Sequence, residues 1–194
     1  MMPDDSMVAM RAALLSARDV LSFVRLSRTP KHADVLDGFI THVGDKWALV
    51  QTTRDGSYSD GWNAFRIVDV AQVKPHGETF ETRVSERQPE WPPRAPFPLE
   101  LDETADLLLS VPRSELIGIE KERRRAAVWI GQVVEVDQRR VRLHEVDPRA
   151  RWADEPLGYR LGAISRVQLR STCITALSSV IDLTIDGGWS PGRP

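Results

Sequence analysis

The chain has 194 residues, of which 41% are hydrophobic and 28% are charged, and its formal net charge is −2. This composition is typical of a folded protein with a buried core and excludes a disordered chain. The near-neutral charge provides no overall field toward nucleic acid or an acidic membrane, so any such binding must come from a local patch.

The sequence shows no sign of a membrane span or an export signal. No apolar run approaches the roughly 18 residues that a transmembrane helix needs. The first ten residues, MMPDDSMVAM, carry acids where a signal peptide would carry bases. We therefore expect a cytoplasmic protein without membrane contacts.

The predicted elements begin with an apolar-rich helix over residues 7–16, for which Ser6 is a candidate N-cap. Five strand-like runs follow, with β-branched and aromatic residues at period two. These runs cover residues 20–26, 35–43, 47–52, 62–67 and 70–74.

A proline-rich segment follows the fifth run. Residues 75–98 contain Pro75, Pro89, Pro92, Pro93, Pro96 and Pro98. This density disfavours both helix and central strand and predicts an extended linker with polyproline II character. Trp91 lies in this segment, where it either pins the linker across the strands or forms part of a polyproline ligand for a partner.

The same series of elements then returns. A helix over residues 103–110, with Asp102 as its candidate cap, precedes a second set of five strand-like runs. These cover residues 116–122, 126–136, 141–146, 157–161 and 164–169, and a helix over 171–183 and a frayed tail follow. We therefore predict three parts: a first barrel over 1–75, a linker over 76–98 and a second barrel over 99–194.

The return of these elements is an internal repeat. Residues 65–73 (FRIVDVAQV) match residues 159–167 (YRLGAISRV), which aligns Arg66 with Arg160 at a spacing of 94 residues. Gly38 and Gly131 match at a spacing of 93. Between these anchors, residues 47–50 align with residues 141–144. The sequence therefore predicts two copies of one small unit.

A helix followed by five short strands, with a glycine in a long bent second strand, resembles the Sm-like (LSm) barrel, a relative of SH3-like barrels. The family frame is matched in the first copy by Gly38, Ile40, Val43, Gly44, Trp47, Ala48 and Leu49. In the second copy it is matched by Gly131, Val133, Val136, Asp137, Val141, Arg142 and Leu143, with one extra residue in the turn. The chain looks similar to bacterial proteins that carry two Sm-like barrels in tandem.

This resemblance implies a mainly β fold with short helices, built as two tandem five-stranded bent barrels, each preceded by a short helix. Open barrels leave strand edges, and Sm-like proteins satisfy such edges by joining subunits edge to edge. We therefore expect a pseudo-dimer within the chain, with the fourth and fifth strands of the two copies at or near the contact.

The resemblance also implies candidate site residues. Sm-like proteins grip an unstacked RNA base with an Asp, an Asn and an Arg-Gly pair. This chain keeps the Asp as Asp137, has Arg142 in place of the Asn, and keeps the arginine of the pair as Arg66 and Arg160 without the glycine. These four residues are the candidate ligand-binding or nucleic-acid-binding residues.

Each of these arginines also has a structural interpretation. A repeated Arg beside an aromatic residue can hold a phosphate or carboxylate, or it can brace its own hairpin or the contact between barrels. Further basic residues cluster at 123–125, at 139, 140 and 142, and at 149 and 151. Together they form either an RNA-binding surface, with stacking from Trp129 or Trp152, or a solvated charged rim.

No pattern predicts catalysis, a metal or a cofactor. The four histidines, His32, His42, His76 and His144, lack metal-site spacing, and Cys173 has no cysteine partner and is expected to be a small buried residue. The chain has no GxSxG, P-loop or GxGxxG motif. We expect a protein that is not an enzyme.

Three functions remain open at this point. The first is a non-catalytic binding or scaffolding protein that acts through protein contacts. The second is RNA or single-stranded nucleic-acid binding through arginines of the second barrel. The third is an enzyme with a site between the barrels.

Overall fold

Ten strands pair into one open antiparallel sheet in the computed structural model, which describes residues 3–30, 33–54, 58–122 and 127–181. The first five strands are β1 (Phe23–Arg28), β2 (Leu36–Val43), β3 (Trp47–Arg54), β4 (Tyr58–Arg66) and β5 (Val70–His76). The other five are β6 (Ile117–Lys121), β7 (Val128–Val136), β8 (Arg140–Glu145), β9 (Leu157–Arg160) and β10 (Ile164–Leu169).

The strand order repeats along the sheet, which runs β5-β1-β2-β3-β4-β10-β6-β7-β8-β9. We call β1–β5 the first half and β6–β10 the second half. In each half the fifth strand flanks the first, and a short 3-10 turn joins the fourth strand to the fifth. The halves meet where β4 pairs antiparallel with β10, so the expected contact between a fourth and a fifth strand is present.

The expectation of a mainly β protein with short helices is confirmed. The sheet is not closed, because its two outermost strands, β5 and β9, do not pair with each other. The sheet is therefore a single continuous layer of strands that crosses from one half into the other.

The repeat alignment is right at its anchors and wrong in the third strands. Arg66 lies opposite Trp47 and Arg160 opposite Arg140, and these are the last and first residues of equivalent strands. A Cβ on Gly38 would lie 2.0 Å from the carbonyl oxygen of Gln51, and one on Gly131 would lie 2.2 Å from that of His144. Equivalent strands therefore approach equally closely at both glycines.

In the third strands, Val43 lies opposite Ala48, and Val136 lies opposite Val141. Ala48 is therefore the equivalent of Val141, one position away from the sequence alignment, and the turn before β8 has no extra residue. The extra residue lies after β8, since Asn63 pairs with Val50 whereas Leu157 pairs with Leu143. The error arose because residues 47–52 of β3 are all buried, which removes the alternation that would have shown the register.

Four helices accompany the sheet: α1 (Pro3–Asp19), α2 (Phe80–Ser85), α3 (Thr104–Ser110) and α4 (Thr172–Ser178). Helix α1 begins before Ser6, which is therefore helical and not an N-cap. Asp102 does not cap α3 either, because the N-cap position belongs to Glu103. Ser171 caps α4 by accepting from the backbone N–H of Ile174. Residues 182–183 of the predicted final helix lie outside the described part of the chain.

The proline-rich segment contains a helix that the proline count did not predict. Helix α2 fits into the proline-free stretch between Pro75 and Pro89, and the side chain of Thr79 caps it by accepting from Thr82 N at 3.4 Å. Beyond α2, Trp91 packs edge-on against Phe39 with ring centroids 5.1 Å apart. The tryptophan therefore pins this segment to the first half.

Each half has its own buried core, and the first half contributes to both. One cluster lies inside the first half and includes Leu14 of α1, together with Ile40 and Phe65. The other lies inside the second half and includes Trp47 and Leu49 from the opposite face of β3. Strand β3 is therefore buried on both sides, which fixes the first half against the second.

Candidate functional site

Arg66 lies at the junction between the halves and is surrounded by hydrogen-bond acceptors. Its Nε and Nη2 bind the two carboxylate oxygens of Asp69 at 2.6 and 2.9 Å. Its Nη1 donates to the carbonyl oxygen of Gly162 at 3.1 Å, and Nη2 reaches Glu122 Oε2 at 3.3 Å. Burial opposes the charge, but the bonds and attraction from Asp69 and Glu122 outweigh it and raise the pKa of Arg66. This arginine braces both its own hairpin and the contact with the second half.

Arg160 occupies the equivalent position of the second half without these acceptors. The 3-10 turn after Arg66 ends in Asp69, whereas the turn after Arg160 ends in Ala163. The side chain of Arg160 is exposed, and it makes no hydrogen bond or ion pair with any residue in the described ranges. Its guanidinium charge is therefore not neutralised by a carboxylate in that part of the chain.

A second arginine lies directly opposite Arg160 on the neighbouring strand. Arg140 begins β8 and is its cross-strand partner, so the two charged side chains lie on the same face. Like charges in this arrangement repel each other, which makes the pair unfavourable for stability. Backbone pairing continues past the strands, where Leu161 N donates to the carbonyl oxygen of Arg139 at 2.9 Å. Arg139 and Arg140, together with Arg160 on the neighbouring strand, thus place three basic residues at one end of the second half.

These residues line an open groove of about 800 Å³. Its basic lining residues are Arg139, Arg140 and Arg160, and its other lining residues are Glu122, Gln138, Leu161, Gly162 and Ala163. The carboxylate in the lining, Glu122, interacts with Arg66. We call this feature the arginine groove.

Asp137 shapes the turn that presents these arginines. Its Oδ1 accepts the backbone N–H groups of Arg139 at 2.6 Å and of Arg140 at 2.8 Å. These two hydrogen bonds lower the pKa of Asp137 below its ordinary value. The carboxylate is therefore used to hold the turn, while the arginine side chains project from it.

Arg142 lies beside the arginine groove and does not line it. It follows Arg140 by two residues on the same face of β8, opposite Gly158, and its Nη1 lies 3.8 Å from Glu135 Oε2. The corrected register makes Leu49 its equivalent in the first half, whereas Ala48 is the equivalent of Val141. Arg142 therefore stays a candidate from the sequence that lies outside the groove.

The turn between β2 and β3 of the first half corresponds to the turn that carries Arg139 and Arg140. We call the turn before the third strand of each half its corner, and in the first half this corner is covered by another segment of the chain. Residues 101–104 run across the turn between β2 and β3, where Trp47 N donates to Leu101 O at 2.9 Å. Asp45 N donates to Asp102 Oδ1 at 2.9 Å, and Trp47 Nε1 donates to Thr104 Oγ1 at 3.1 Å. A Cβ on Gly44 would lie 2.6 Å from Leu101, so only glycine fits there. In the described part of the chain this turn is therefore covered, whereas the equivalent turn of the second half borders the arginine groove.

A buried ion cluster at the junction was missed by the sequence analysis. Arg28 and Arg166 both contact Glu120 Oε2, at 3.1 and 2.6 Å, and Arg166 also reaches Asp34 at 3.1 Å. The side chain of Arg28 is fully buried, and its burial lowers its pKa. These residues come from three strands and a loop that are far apart in the sequence, so no local pattern indicates the cluster. It ties the first half to the second.

Other candidate residues lie away from the groove. Trp129 lies under the ammonium group of Lys121, which is 3.9 Å from the ring centroid, and Trp152 stacks on His144 at 4.8 Å. Cys173 is exposed, contrary to the expectation that it is buried, because it lies on the outer side of the short helix α4. The basic residues 123–125 and His32 lie outside the described residues.

No group of three or more His, Cys, Asp or Glu side chains in the described ranges is arranged to hold a metal ion. No helix among the same residues has the length and apolar character to cross a membrane.

Comparisons with known proteins leave the resemblance to Sm-like barrels as a prediction. No family model matches the chain, and neither a curated protein nor a solved structure shows significant similarity to it.

Proposed function

We propose that this protein binds single-stranded nucleic acid, without catalysis, through the sugar-phosphate backbone held in the arginine groove. The observation that carries the proposal is the cross-strand pair of Arg140 and Arg160 beside Arg139 in one open groove, where none of the three side chains forms an ion pair with a described residue. An arrangement that costs stability in the unbound protein becomes favourable when an anion lies between the charges.

Phosphate is the anion that this geometry suits best. Guanidinium groups bind phosphate oxygens through paired N–H donors, and three of them line this groove. The arginines are concentrated locally in a protein whose formal net charge is −2. Binding is therefore confined to this end of the second half and does not spread over the whole surface.

Recognition of base identity is not part of the proposal. None of the described residues that line the groove is aromatic, and the two tryptophans considered for stacking, Trp129 and Trp152, are engaged with Lys121 and His144. Contacts with phosphates position a strand but carry no sequence information. We expect strands of different base composition to bind with similar affinity.

The fold supports this proposal through its repeated strand order. We propose that each half is an Sm-like unit and that the two units form a pseudo-dimer within the chain. The identical order of five strands in each half, with a leading helix and a 3-10 turn before the last strand, supports this interpretation. Under it, the arginine groove lies at the turns where the Sm-like resemblance implies RNA contacts.

The test is fluorescence anisotropy with labelled single-stranded RNA over a series of salt concentrations. We expect binding that weakens with salt, with a slope of about −2 in a plot of log affinity against log salt for about three phosphate contacts. The double variant R140Q/R160Q should bind about a hundredfold more weakly. R149Q is the matched control, because Arg149 is an exposed arginine of the same half outside the groove.

Two results would refute nucleic-acid binding through this groove. One is the absence of salt-sensitive binding by the wild-type protein at micromolar concentration. The other is a double variant that binds as tightly as R149Q.

Protein binding is the second candidate, favoured by an exposed apolar side chain on the outer strand of the second half. Leu157 on β9 is 51% exposed, and no described strand pairs with the outer edge of β9. Under this hypothesis, L157D abolishes capture of the partner and leaves RNA binding unchanged. Capture of the same partner by wild type and L157D would exclude it. We do not propose an enzyme site between the halves, because Arg66, Arg28 and Arg166 at the junction are each engaged in ion pairs.

A further inference from the structure

The junction between the halves is head-to-tail, and this raises the question of whether copies of the chain can repeat it. The fourth strand of the first half pairs with the fifth strand of the second half. The two outer strands of the sheet are again a fifth strand, β5, and a fourth strand, β9. Head-to-tail contacts of this kind generate rings or filaments unless something stops them.

At one end of a repeated junction, the backbone of the outer strands lacks hydrogen-bond donors. The last pair of the existing junction is Leu169 opposite Trp62. The equivalent residues on the outer strands are Pro75 and Pro156, as the strand registers show. Pro75 lies within β5 opposite Val24, so the ladder with β1 can persist only if the proline nitrogen faces the outer edge. A repeated junction would therefore place two prolines, neither with an N–H donor, where the existing one pairs two ordinary residues.

The side chains at the two edges are mismatched as well. In the existing junction, Glu122 accepts from Arg66, and Glu120 lies between Arg28 and Arg166. The equivalents of Glu120 and Glu122 at the outer edge of the first half are Ser27 and Thr29. The basic residue at the outer edge of the second half, Arg160, would therefore meet a hydroxyl side chain where Arg66 meets a carboxylate. A buried or half-buried guanidinium without its acid is strongly unfavourable.

We infer that both outer edges of the sheet are closed to a second copy of this chain, so that the protein ends as a unit of two halves. The prolines remove backbone donors, and the exchange of acids for hydroxyls removes the ionic contacts. This termination leaves the β9 edge, and Arg160 with it, accessible. The inference rests on strand register and residue identity and does not depend on whether the arginine groove binds nucleic acid.

The first test is the mass of the wild-type protein by light scattering and sedimentation, from micromolar to near-millimolar concentration. We expect the mass of one 21.8 kDa chain throughout. A ring or filament of wild-type chains whose assembly is abolished by R160E would overturn the inference, because it would show that the edge accepts a second copy.

The second test rebuilds the junction on the outer edges. The variant S27E/T29E/Q72R/P75L/P156W gives the edges the residues of the existing junction, since Arg166 is the equivalent of Gln72. We expect mass to increase with concentration, and adding R160E should return the variant to one chain by placing like charges opposite each other. A folded five-residue variant that remains a single chain would contradict the inference.

A third variant guards against misfolding of the second. The substitutions S27E/T29E/Q72R change half-exposed or exposed side chains and keep both prolines. We expect this variant to fold, as measured by circular dichroism, and to associate at least tenfold more weakly than the five-residue variant. Equal association of the two would show that the prolines do not close the edges.

Discussion

Arg66 and Arg160 end equivalent strands of the two halves, yet their surroundings differ completely. Arg66 is held by Asp69, by Glu122 and by the carbonyl oxygen of Gly162. In the second half, Ala163 takes the place that Asp69 has beside Arg66. A second arginine, Arg140, lies opposite Arg160 on the neighbouring strand. The comparison shows that one position of a repeated strand order can be paired with carboxylates in one half and remain exposed without an ion pair to a described residue in the other.

The residues across from the two arginines complete this contrast. Arg66 faces Trp47, which is fully buried beneath residues 101–104, whereas Arg160 faces the exposed Arg140. Burial of an aromatic ring is a strong source of stability, whereas a pair of exposed like charges costs stability. We therefore expect substitutions at this corner to affect folding in the first half and ligand binding in the second.

The largest expected effect on stability is at Trp47, compared with its equivalent in the second half, Arg140. Because Trp47 packs in the core of the second half from a strand of the first, W47A should lower the free energy of unfolding by about 3–5 kcal/mol. R140A should change it by less than about 0.5 kcal/mol, since the side chain is exposed. Urea denaturation of both variants measures the difference. Equal destabilisation would show that the two corners do not differ in this way.

The next effect concerns the two equivalent arginines. R66Q removes the partner of the nearly buried Asp69 carboxylate and should cost about 2–3 kcal/mol of folding stability. R160Q should leave stability within about 0.5 kcal/mol of wild type and should weaken RNA binding. Denaturation and anisotropy on the same two proteins separate the roles. If R66Q weakened RNA binding while stability was retained, Arg66 would belong to the ligand site.

A smaller effect is expected when the second half is given the acid of the first. A163D places a carboxylate at the position equivalent to Asp69, where it can pair with Arg160. An exposed ion pair of this kind adds less than about 1 kcal/mol to stability. The loss of one available guanidinium should weaken RNA binding about fivefold. The conservative control A163N lacks the charge and should bind within about twofold of wild type. If A163D and A163N were equally weakened, charge neutralisation would not be the cause.

Much of the fold follows from the sequence because the signals are local. The repeat predicted the equivalence of Arg66 and Arg160, and the period-two pattern located the ten strands. The register of β3 was wrong because Trp47 and Leu49 are apolar on the face that packs against the other half, so both faces look like a core. Which face belongs to which core depends on contacts that the pattern does not contain.

The candidate site was only partly predictable for a related reason. Arg160 and Asp137 were selected from the sequence, and Arg139 and Arg140 were recognised as a basic cluster. That residues 101–104 cover one corner and leave the other open depends on hydrogen bonds between positions about 55 residues apart, such as Asp45 N to Asp102 Oδ1. The cluster of Arg28, Glu120 and Arg166 is likewise formed by distant strands. Neither feature has a signature in the sequence.

The smallest effect tests Asp137, which occupies the position that Gly44 has in the first half. The backbone N–H groups of Arg139 and Arg140 lower the pKa of this carboxyl in the folded state. A group with a lowered folded pKa stabilises the fold above its unfolded pKa and loses that contribution as the pH falls through the folded value. The stabilisation from Asp137 should therefore be complete near neutral pH and absent in acid.

The variant D137N keeps an oxygen acceptor for the turn but removes the titration. The wild-type protein should show the higher urea midpoint at about pH 7, and the difference should shrink as the pH falls below the ordinary pKa of an aspartate. Asp147, whose pKa is also lowered, is present in both proteins and cancels in the comparison. A difference that stayed constant with pH would mean that the charge of Asp137 does not stabilise the turn. Because Gly44 has no carboxyl group, this acid dependence arises only in the half whose turn must hold two adjacent arginines in place.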